Sequence, residues 1–152
     1  MARAGLRRLL ILNSHGGNTS VAAVAAMRMR TEHGLLAARA HWQELADWKE
    51  GPGPVDGTAR DWHGGHIETS VMLHLRPGLV DMAAAAPPAP RADILPPDGP
   101  APWAWMSRDL DARGVIGDPR TATAAYGADL VARSAAGLRA LLSRLASAPW
   151  PH

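Results

Sequence analysis

The chain has 152 residues, of which 47% are hydrophobic, and this size and composition suit one globular domain. It contains no cysteine, which excludes disulfide bonds and thiolate metal sites. The formal net charge is only +2, and the arginines are scattered with no run longer than Arg7-Arg8. The composition therefore argues against nucleic-acid binding, which needs a concentrated basic surface.

The start of the chain has arginines before an apolar run, as a secretion signal has. That run covers only residues 9–12 and is followed by Asn13 and Ser14, so it is shorter than a signal peptide requires. No apolar stretch approaches the length of a membrane span. We therefore predict a cytoplasmic protein without a membrane partner.

The first forty residues have the pattern of a strand, a helix and a second strand. Apolar residues predict strands at 6–12 and 35–42, and the alanine-rich segment 19–33 predicts a helix that ends at Gly34. This order indicates a parallel crossover unit, which is typical of α/β folds.

The remainder of the chain combines two helices with two long loops. Segments 43–60 and 87–102 are rich in glycine or proline and are predicted to be irregular. A helix is predicted from Ile67, and a second one from Asp118 as N-cap with Pro119 in its first turn. The second helix carries an amphipathic stripe made of Leu130, Ser134, Leu138, Leu141, Leu142 and Leu145.

The tripeptide His-Gly-Gly occurs twice, at His15 and at His63. Glycines beside a histidine let a ligand approach closely, and His15 lies between a predicted strand and helix, where α/β sheets usually bind ligands. Glu68 lies in the expected first turn of a helix, where the helix dipole favours the ionised carboxylate. Imidazole and carboxylate together indicate a metal or acid/base site. The alternative is that both histidines are polar loop residues and that Glu68 only supports its helix.

Three segments resemble, in order and spacing, signatures of the creatininase family of metal-dependent amidohydrolases. They read NSHGGNTS at 13–20, DWHGGHIETSVMLHLRP at 61–77 and GVIGDPRTATAAYG at 114–127. The family signatures are Asn-Gly-His-Gly-Gly-Asn, Asp-x-His-Ala-Gly-x-x-Glu-Thr-Ser and Gly-Val-x-Gly-Asp-Pro. The resemblance runs from about Gly5 to the C-terminal helix and implies a three-layer α/β/α sandwich.

The resemblance implies a role for each matching residue. His15 and Glu68 match metal ligands, and His63 matches the histidine that transfers protons near the substrate. The family hydrolyses amide bonds with a water activated by two Zn²⁺ or Mn²⁺ ions. Gly64, Gly65 and Trp62 are candidate substrate contacts. Trp62, like two further tryptophans at 103 and 105, could instead be a packing residue beside a loop.

The sequence also departs from the family pattern. Ser14 and Gly64 replace the usual Gly and Ala. The family's Glu-x-His ligands and bridging aspartate have no counterpart among the fourteen residues before His15, and Asp61 or His66 could substitute for them. We therefore expect residues 1–152 to be a single domain, the C-terminal portion of an amidohydrolase domain that lacks the N-terminal strands. The resulting unpaired sheet edge predicts a homo-oligomer.

Two functions follow as alternatives. The first is hydrolysis of a C–N amide bond in a creatinine-like cyclic amide or a short peptide-like substrate. His66 in His-Gly-Gly-His also resembles family members that trim the mycofactocin precursor peptide. The second is a catalytically inactive, shortened relative that binds a partner chain.

Overall fold

The computed structural model describes residues 2–46, 61–88 and 102–149. They fall into two compact units, divided after Trp48 and again between Asp129 and Leu130. The expectation of a single domain over the whole chain stays a prediction. In chain order the elements are β1 (Arg8–Asn13), α1 (Thr19–His33), β2 (Leu36–His41), α2 (Trp42–Leu45), α3 (His66–Leu75), α4 (Ser107–Leu110) and α5 (Ala124–Ser147).

The first unit contains the predicted strand–helix–strand arrangement. Strands β1 and β2 are parallel neighbours, with Arg8 opposite Leu36 at one end and Asn13 opposite His41 at the other. Helix α1 connects them and ends at Gly34, whose φ of 65° is in the left-handed region and whose amide donates to the carbonyl of Arg30. The predicted strands and helix are confirmed. Gly34 can end the helix in this conformation because glycine has no Cβ that would clash.

Helix α1 has its larger apolar side chains on the outside. Ala22 is buried, whereas Val21, Val24 and Met27 are 71%, 61% and 64% exposed. These three residues follow one another at helical spacing and form an exposed apolar stripe on α1. Such stripes are common where another polypeptide binds.

Helix α2 corrects the prediction that residue 43 begins an irregular loop. Trp42 and Ala46, at the two ends of this short helix, have carbonyls that accept bonds from side chains of α5. Ser134 Oγ donates to the Trp42 oxygen at 3.0 Å and Arg133 Nη1 to the Ala46 oxygen at 2.6 Å. These distant partners stabilise one helical turn that local sequence alone does not predict. Residues 47–60, the rest of the predicted loop, lie outside the described residues.

The second unit is built on α3 and the first turns of α5. Helix α3 begins at His66, one residue before the predicted start, and ends where Arg76 leaves helical geometry ahead of Pro77. Ser70 has no exposed surface, and its Oγ accepts a hydrogen bond from the amide of Thr123 at 3.0 Å. The predicted helix is therefore confirmed, and its buried face packs against the residues that precede α5.

The predicted start of the long C-terminal helix at Asp118 is wrong. Asp118 caps a separate 3₁₀ turn, Pro119–Thr121, by accepting from the amide of Arg120. Ala122 is extended, and α5 starts only at Ala124, where the Thr123 hydroxyl accepts from the amide of Tyr126 at 3.2 Å. The chain leaves the helical path because the Thr123 amide bonds to Ser70 instead of to a preceding carbonyl.

The amphipathic stripe of α5 is buried most deeply at its beginning. Leu130 has no exposed surface, Ser134 is 9% exposed, and Leu142 near the other end is 47% exposed. The stripe is confirmed, with burial decreasing toward the C-terminus.

The two parallel strands and the helices make this an α/β fold. The three-layer sandwich and the missing N-terminal strands stay predictions, and so does the homo-oligomer. Residues 89–101, which include most of the predicted proline-rich excursion, lie outside the described residues. Across the described ranges, no helix combines the length and the apolar character that a membrane span needs.

Replacing Gly127 by alanine should destabilise the protein although alanine is the better helix former. A Cβ at Gly127 would overlap the backbone carbonyl of Ser70, so α3 and α5 cannot keep their present approach. We expect a loss of about 1–3 kcal/mol in the free energy of unfolding, as for other overpacked sites. Urea denaturation measures it, with Gly78→Ala as control, because a Cβ there would meet no atom within 4 Å. Equal stability of both variants would contradict the close approach.

Candidate functional site

The second and third family-like motifs lie side by side in the second unit. His63 and Ile116 form an isolated antiparallel bridge. The amide of Ile116 donates to the His63 oxygen at 2.7 Å, and the amides of Trp62 and His63 donate to the Ile116 oxygen at 2.8 and 3.2 Å. Both the amide and the carbonyl of the candidate proton-transfer histidine are therefore hydrogen-bonded to the loop 114–118.

Glu68 lies in the first turn of α3, as predicted, and binds the loop that contains His63. Its Oε2 accepts a hydrogen bond from the amide of Gly64 at 2.5 Å. Thr69 Oγ1 donates to the carbonyl of the same glycine at 3.2 Å. Gly64 has a φ of 65°, which favours glycine at this bend. His63, Gly64 and Glu68 are thus brought together in one local structure.

Asp61, which the sequence offered only as a substitute metal ligand, has a partly buried carboxylate. Its Oδ2 accepts from the amide of Ile67 at 2.7 Å, and the carboxylate also accepts from the amide of Gly65. Burial raises the pKa of Asp61, while these two hydrogen bonds oppose the rise and the charge of Glu68 adds to it. A Cβ at Gly65 would overlap Asp61 Oδ1, and one at Gly117 would lie 2.7 Å from that oxygen. Gly65 is therefore required by a neighbouring side chain, whereas its predicted contact with substrate is untested.

His66, the first residue of α3, is buried. It is 5% exposed, its Nδ1 lies 2.9 Å from Thr121 Oγ1, and its ring centroid is 4.7 Å from that of Tyr126. Its Nε2 is buried without a hydrogen-bond partner among the described residues. The helical spacing of His66, Ile67 and Ser70, all buried, is the signal that places His66 on the inner face of α3.

Two of the three tryptophans near the site, Trp62 and Trp105, pack against each other. The rings of Trp62 and Trp105 are stacked with centroids 5.8 Å apart, and Trp62 is half-buried. Trp103 Nε1 is buried without a partner in the described part of the chain. This packing favours the structural alternative for Trp62, and a role as a substrate wall stays a prediction.

His15 belongs to the first unit and follows β1, as predicted. Asn13 organises the turn, since its Nδ2 donates to the His15 oxygen at 2.8 Å and its Oδ1 accepts from the His15 amide at 3.2 Å. The His15 ring lies over Gly17, where a Cβ would be 3.0 Å from Nε2. Asn13 is buried and His15 is exposed. The expected pairing of His15 with Glu68 stays a prediction.

The described residues do not include enough neighbouring side chains to bind a metal ion. Within residues 2–46, 61–88 and 102–149, no group of three or more His, Cys, Asp or Glu side chains could hold an ion. A stable zinc site takes at least three protein ligands. His15 and Glu68 supply two at most, so these residues do not by themselves fit the two-metal centre that the resemblance implies.

Asp61 should make the stability of the protein depend on pH. Because burial raises its pKa above that of the unfolded chain, about 3.9, the folded state binds the proton more tightly. Its stabilising contribution is present below the unfolded pKa and is lost as pH rises through the folded pKa. The difference in unfolding free energy between the parent protein and Asp61→Asn should therefore fall with rising pH. Urea denaturation between about pH 3 and pH 7 measures this difference, and an increase with pH would contradict the assignment.

Known proteins match most of the chain. The creatininase family model, described as creatinine amidohydrolase, matches residues 1–142. The mycofactocin precursor peptide peptidase of Mycolicibacterium smegmatis is 33% identical over 132 residues, which is 86% of this chain and 46% of the relative. A peptidase of the same name from Mycobacterium ulcerans is 37% identical over 122 residues, or 79% and 42%. The chain thus spans less than half the length of these curated relatives.

Solved structures share the fold. A protein of Bacteroides fragilis described as a creatinine amidohydrolase has a TM-score of 0.72 at 28% identity, covering 99% of this chain and 58% of that one. A creatininase in a Mn form has a TM-score of 0.68 at 24% identity, with coverage of 97% and 60%. A mutant creatininase of Zn–Zn type has a TM-score of 0.63 at 24% identity, with coverage of 97% and 59%. These matches confirm the predicted α/β fold.

Proposed function

Because the chain belongs to the creatininase family, we propose that it forms part of a metal-dependent amidohydrolase that hydrolyses a C–N amide bond. The observation that carries this proposal is the local structure of the second motif. His63 is fixed by Ile116, and the loop around it is bound to Glu68 through the amide of Gly64. A histidine on a glycine loop that is held by a carboxylate and by a neighbouring segment is an arrangement suited to proton transfer near a bound substrate.

The proposed substrate is a short peptide or a creatinine-like cyclic amide, both of which contain the same type of bond. The two mycobacterial relatives, 33% and 37% identical to this chain, are named as peptidases of a precursor peptide, which supports the peptide. In either case His63 would pass a proton to the departing nitrogen.

The proposed cofactor is a divalent ion, Zn²⁺ or Mn²⁺, as in the names of the two creatininase structures. The proposed ligands in this chain are His15 and Glu68, and further ligands would come from polypeptide outside residues 1–152. We expect residues 1–152 alone to bind either ion weakly and to have little hydrolase activity, because two ligands are too few. Metal analysis that finds two tightly held ions per chain would contradict this expectation.

The test is to supply the remaining part of the family domain. The N-terminal part of the Mycolicibacterium smegmatis relative, which the family resemblance places before this chain, is fused to residues 1–152 to give what we call the completed protein. It is assayed with Mn²⁺ or Zn²⁺ against creatinine and against short peptides, and the same assays are run on residues 1–152 alone. We expect metal affinity and amide hydrolysis to rise together. Binding of metal without cleavage of any amide would contradict the proposal.

The second candidate is a chain that binds a partner without catalysis. The exposed apolar stripe of α1, formed by Val21, Val24 and Met27, favours it. In that case residues 1–152 would associate with themselves or with a longer homologue, and Val24→Asp would prevent this association. Sedimentation velocity of both proteins distinguishes the two candidates when it is combined with the hydrolysis assay. The proposed location for either function is the cytoplasm.

A further inference from the structure

We propose that Asp61 is a positioning residue whose carboxylate holds the loop around His63 on the first turn of α3. The inference rests on the proposed function, since His63 is the group that this loop presents. It adds a residue that has no catalytic or ligand role in the proposal above. Three features of the described structure support it: the hydrogen bonds of the carboxylate, the space it occupies and the cost of burying it.

The hydrogen bonds of Asp61 replace a missing helix cap. Gly65 occupies the N-cap position of α3 and has no side chain that could accept from the first amides of the helix. Asp61 Oδ2 accepts from the amide of Ile67 at 2.7 Å, and the same carboxylate accepts from the amide of Gly65. Because Asp61 lies before the loop and Ile67 after it, this bond closes the loop at its base. The loop cannot shift without breaking it.

The space around the carboxylate points to the same role. Asp61 Oδ1 lies between the backbones of Gly65 and Gly117, and a Cβ on either glycine would meet it. Gly117 belongs to the loop that pairs with His63 through Ile116. The carboxylate therefore fills the gap between the two family-like motifs, and both glycines are needed to leave room for it.

A carboxylate in this position destabilises the fold unless its hydrogen bonds compensate for the loss of hydration. Asp61 is partly buried, and burial of a charged group is unfavourable unless hydrogen bonds compensate. An apolar side chain of similar size would fill the gap without that cost, but it could not bind the amides of Gly65 and Ile67. We therefore infer that Asp61 contributes through its hydrogen bonds and not through the volume that it fills.

Asp61 and Glu68 both bind amides of the loop. Asp61 binds the amides of Gly65 and Ile67, while Glu68 binds the amide of Gly64. His63, whose backbone pairs with Ile116, directly precedes Gly64. If the Asp61 bonds are lost, we expect Gly64 to move away from Glu68 and the direction of the His63 side chain to become variable.

Amide hydrogen exchange, measured by NMR on residues 1–152, tests directly whether Asp61 keeps the loop in place. It does not require activity. The variants are Asp61→Asn, which keeps one acceptor oxygen, and Asp61→Ala, which keeps none. The matched control is Asp111→Asn, because Asp111 is a buried carboxylate of the same unit and is bound by Arg113. We expect exchange at Gly64, Gly65 and Ile67 to accelerate by about 10-fold or more in Asp61→Ala and less in Asp61→Asn. Amides of α1 should be unaffected, and Asp111→Asn should leave the three loop amides unchanged.

Two results would overturn the inference. Unchanged exchange at the three loop amides in Asp61→Ala would mean that the carboxylate does not hold the loop. Equal acceleration throughout the chain would mean that Asp61 contributes only to global stability. If Asp61→Ala does not fold, the comparison of Asp61→Asn with Asp111→Asn decides the question by the same criteria.

A second measurement, of kcat in the completed protein, tests whether the attachment of the loop by Asp61 affects turnover. Asp61→Asn should lower kcat by about 10- to 100-fold with little change in KM, because a small displacement of a reacting group is that costly. Asp111→Asn should keep the parent kcat. A loosened loop with unchanged kcat would contradict the positioning role. A completed protein without any activity would instead contradict the proposed function. The exchange experiment alone would then test whether Asp61 keeps the loop in place.

Discussion

Replacing His63 by alanine in the completed protein is expected to lower kcat by about 10²- to 10⁴-fold, which is the usual contribution of a general acid or base. Divalent metal should still bind, because the proposed role of His63 is proton transfer and not ligation. Its backbone contacts with Ile116 do not involve the side chain, so the loop should keep its place. The measurements are steady-state kinetics on a cleaved peptide and metal content after dialysis.

His74→Ala is the matched control for this prediction. His74 lies in the last turn of α3 and is exposed, so its loss removes an imidazole from the same unit without touching the loop. We expect parent kcat and parent metal content. Unchanged turnover in His63→Ala would refute the proton-transfer role, and loss of metal in that variant would indicate that His63 is a ligand.

Replacing Glu68 by glutamine is expected to weaken divalent-metal binding by more than about 100-fold in the completed protein. Loss of a group that only supports a metal ligand already costs about 10- to 100-fold, so loss of a ligand should cost more. The glutamine amide keeps an oxygen that can accept from the amide of Gly64, and the loop should remain attached. Titration calorimetry with Mn²⁺ or Zn²⁺ measures the affinity.

The control for the metal prediction is Glu44→Gln, which removes an exposed carboxylate from α2. It should leave metal affinity unchanged. His15→Ala should weaken binding as Glu68→Gln does, because both residues match ligands of the family. Retained affinity in either ligand variant would remove that residue from the proposed ligand set.

Local patterns in the sequence determined the α/β order of the first unit. Helix α1 has the predicted bounds, because its alanine-rich segment favours the helix and Gly34 supplies the left-handed residue that ends it. Glu68 was also located correctly in a first helical turn. Each of these features depends on residues only a few positions apart, so each could be recognised from spacing alone.

Resemblance of three short motifs was sufficient to identify the family. It could not determine how the motifs contact one another. The bridge between His63 and Ile116 joins residues far apart in sequence, and neither residue carries a local signal of that pairing.

Only the tertiary structure determined where the long C-terminal helix begins and what Asp61 does. The helix starts at Ala124 and not at Asp118, because the amide of Thr123 bonds to Ser70 of another helix. Asp61 is a loop residue by its sequence, yet its carboxylate caps α3 and requires Gly65 and Gly117 to be glycines. In each case the deciding interaction is a hydrogen bond or a close approach to a segment that is distant in sequence or separated by a loop. Its strength depends on burial, which no local pattern of residues specifies.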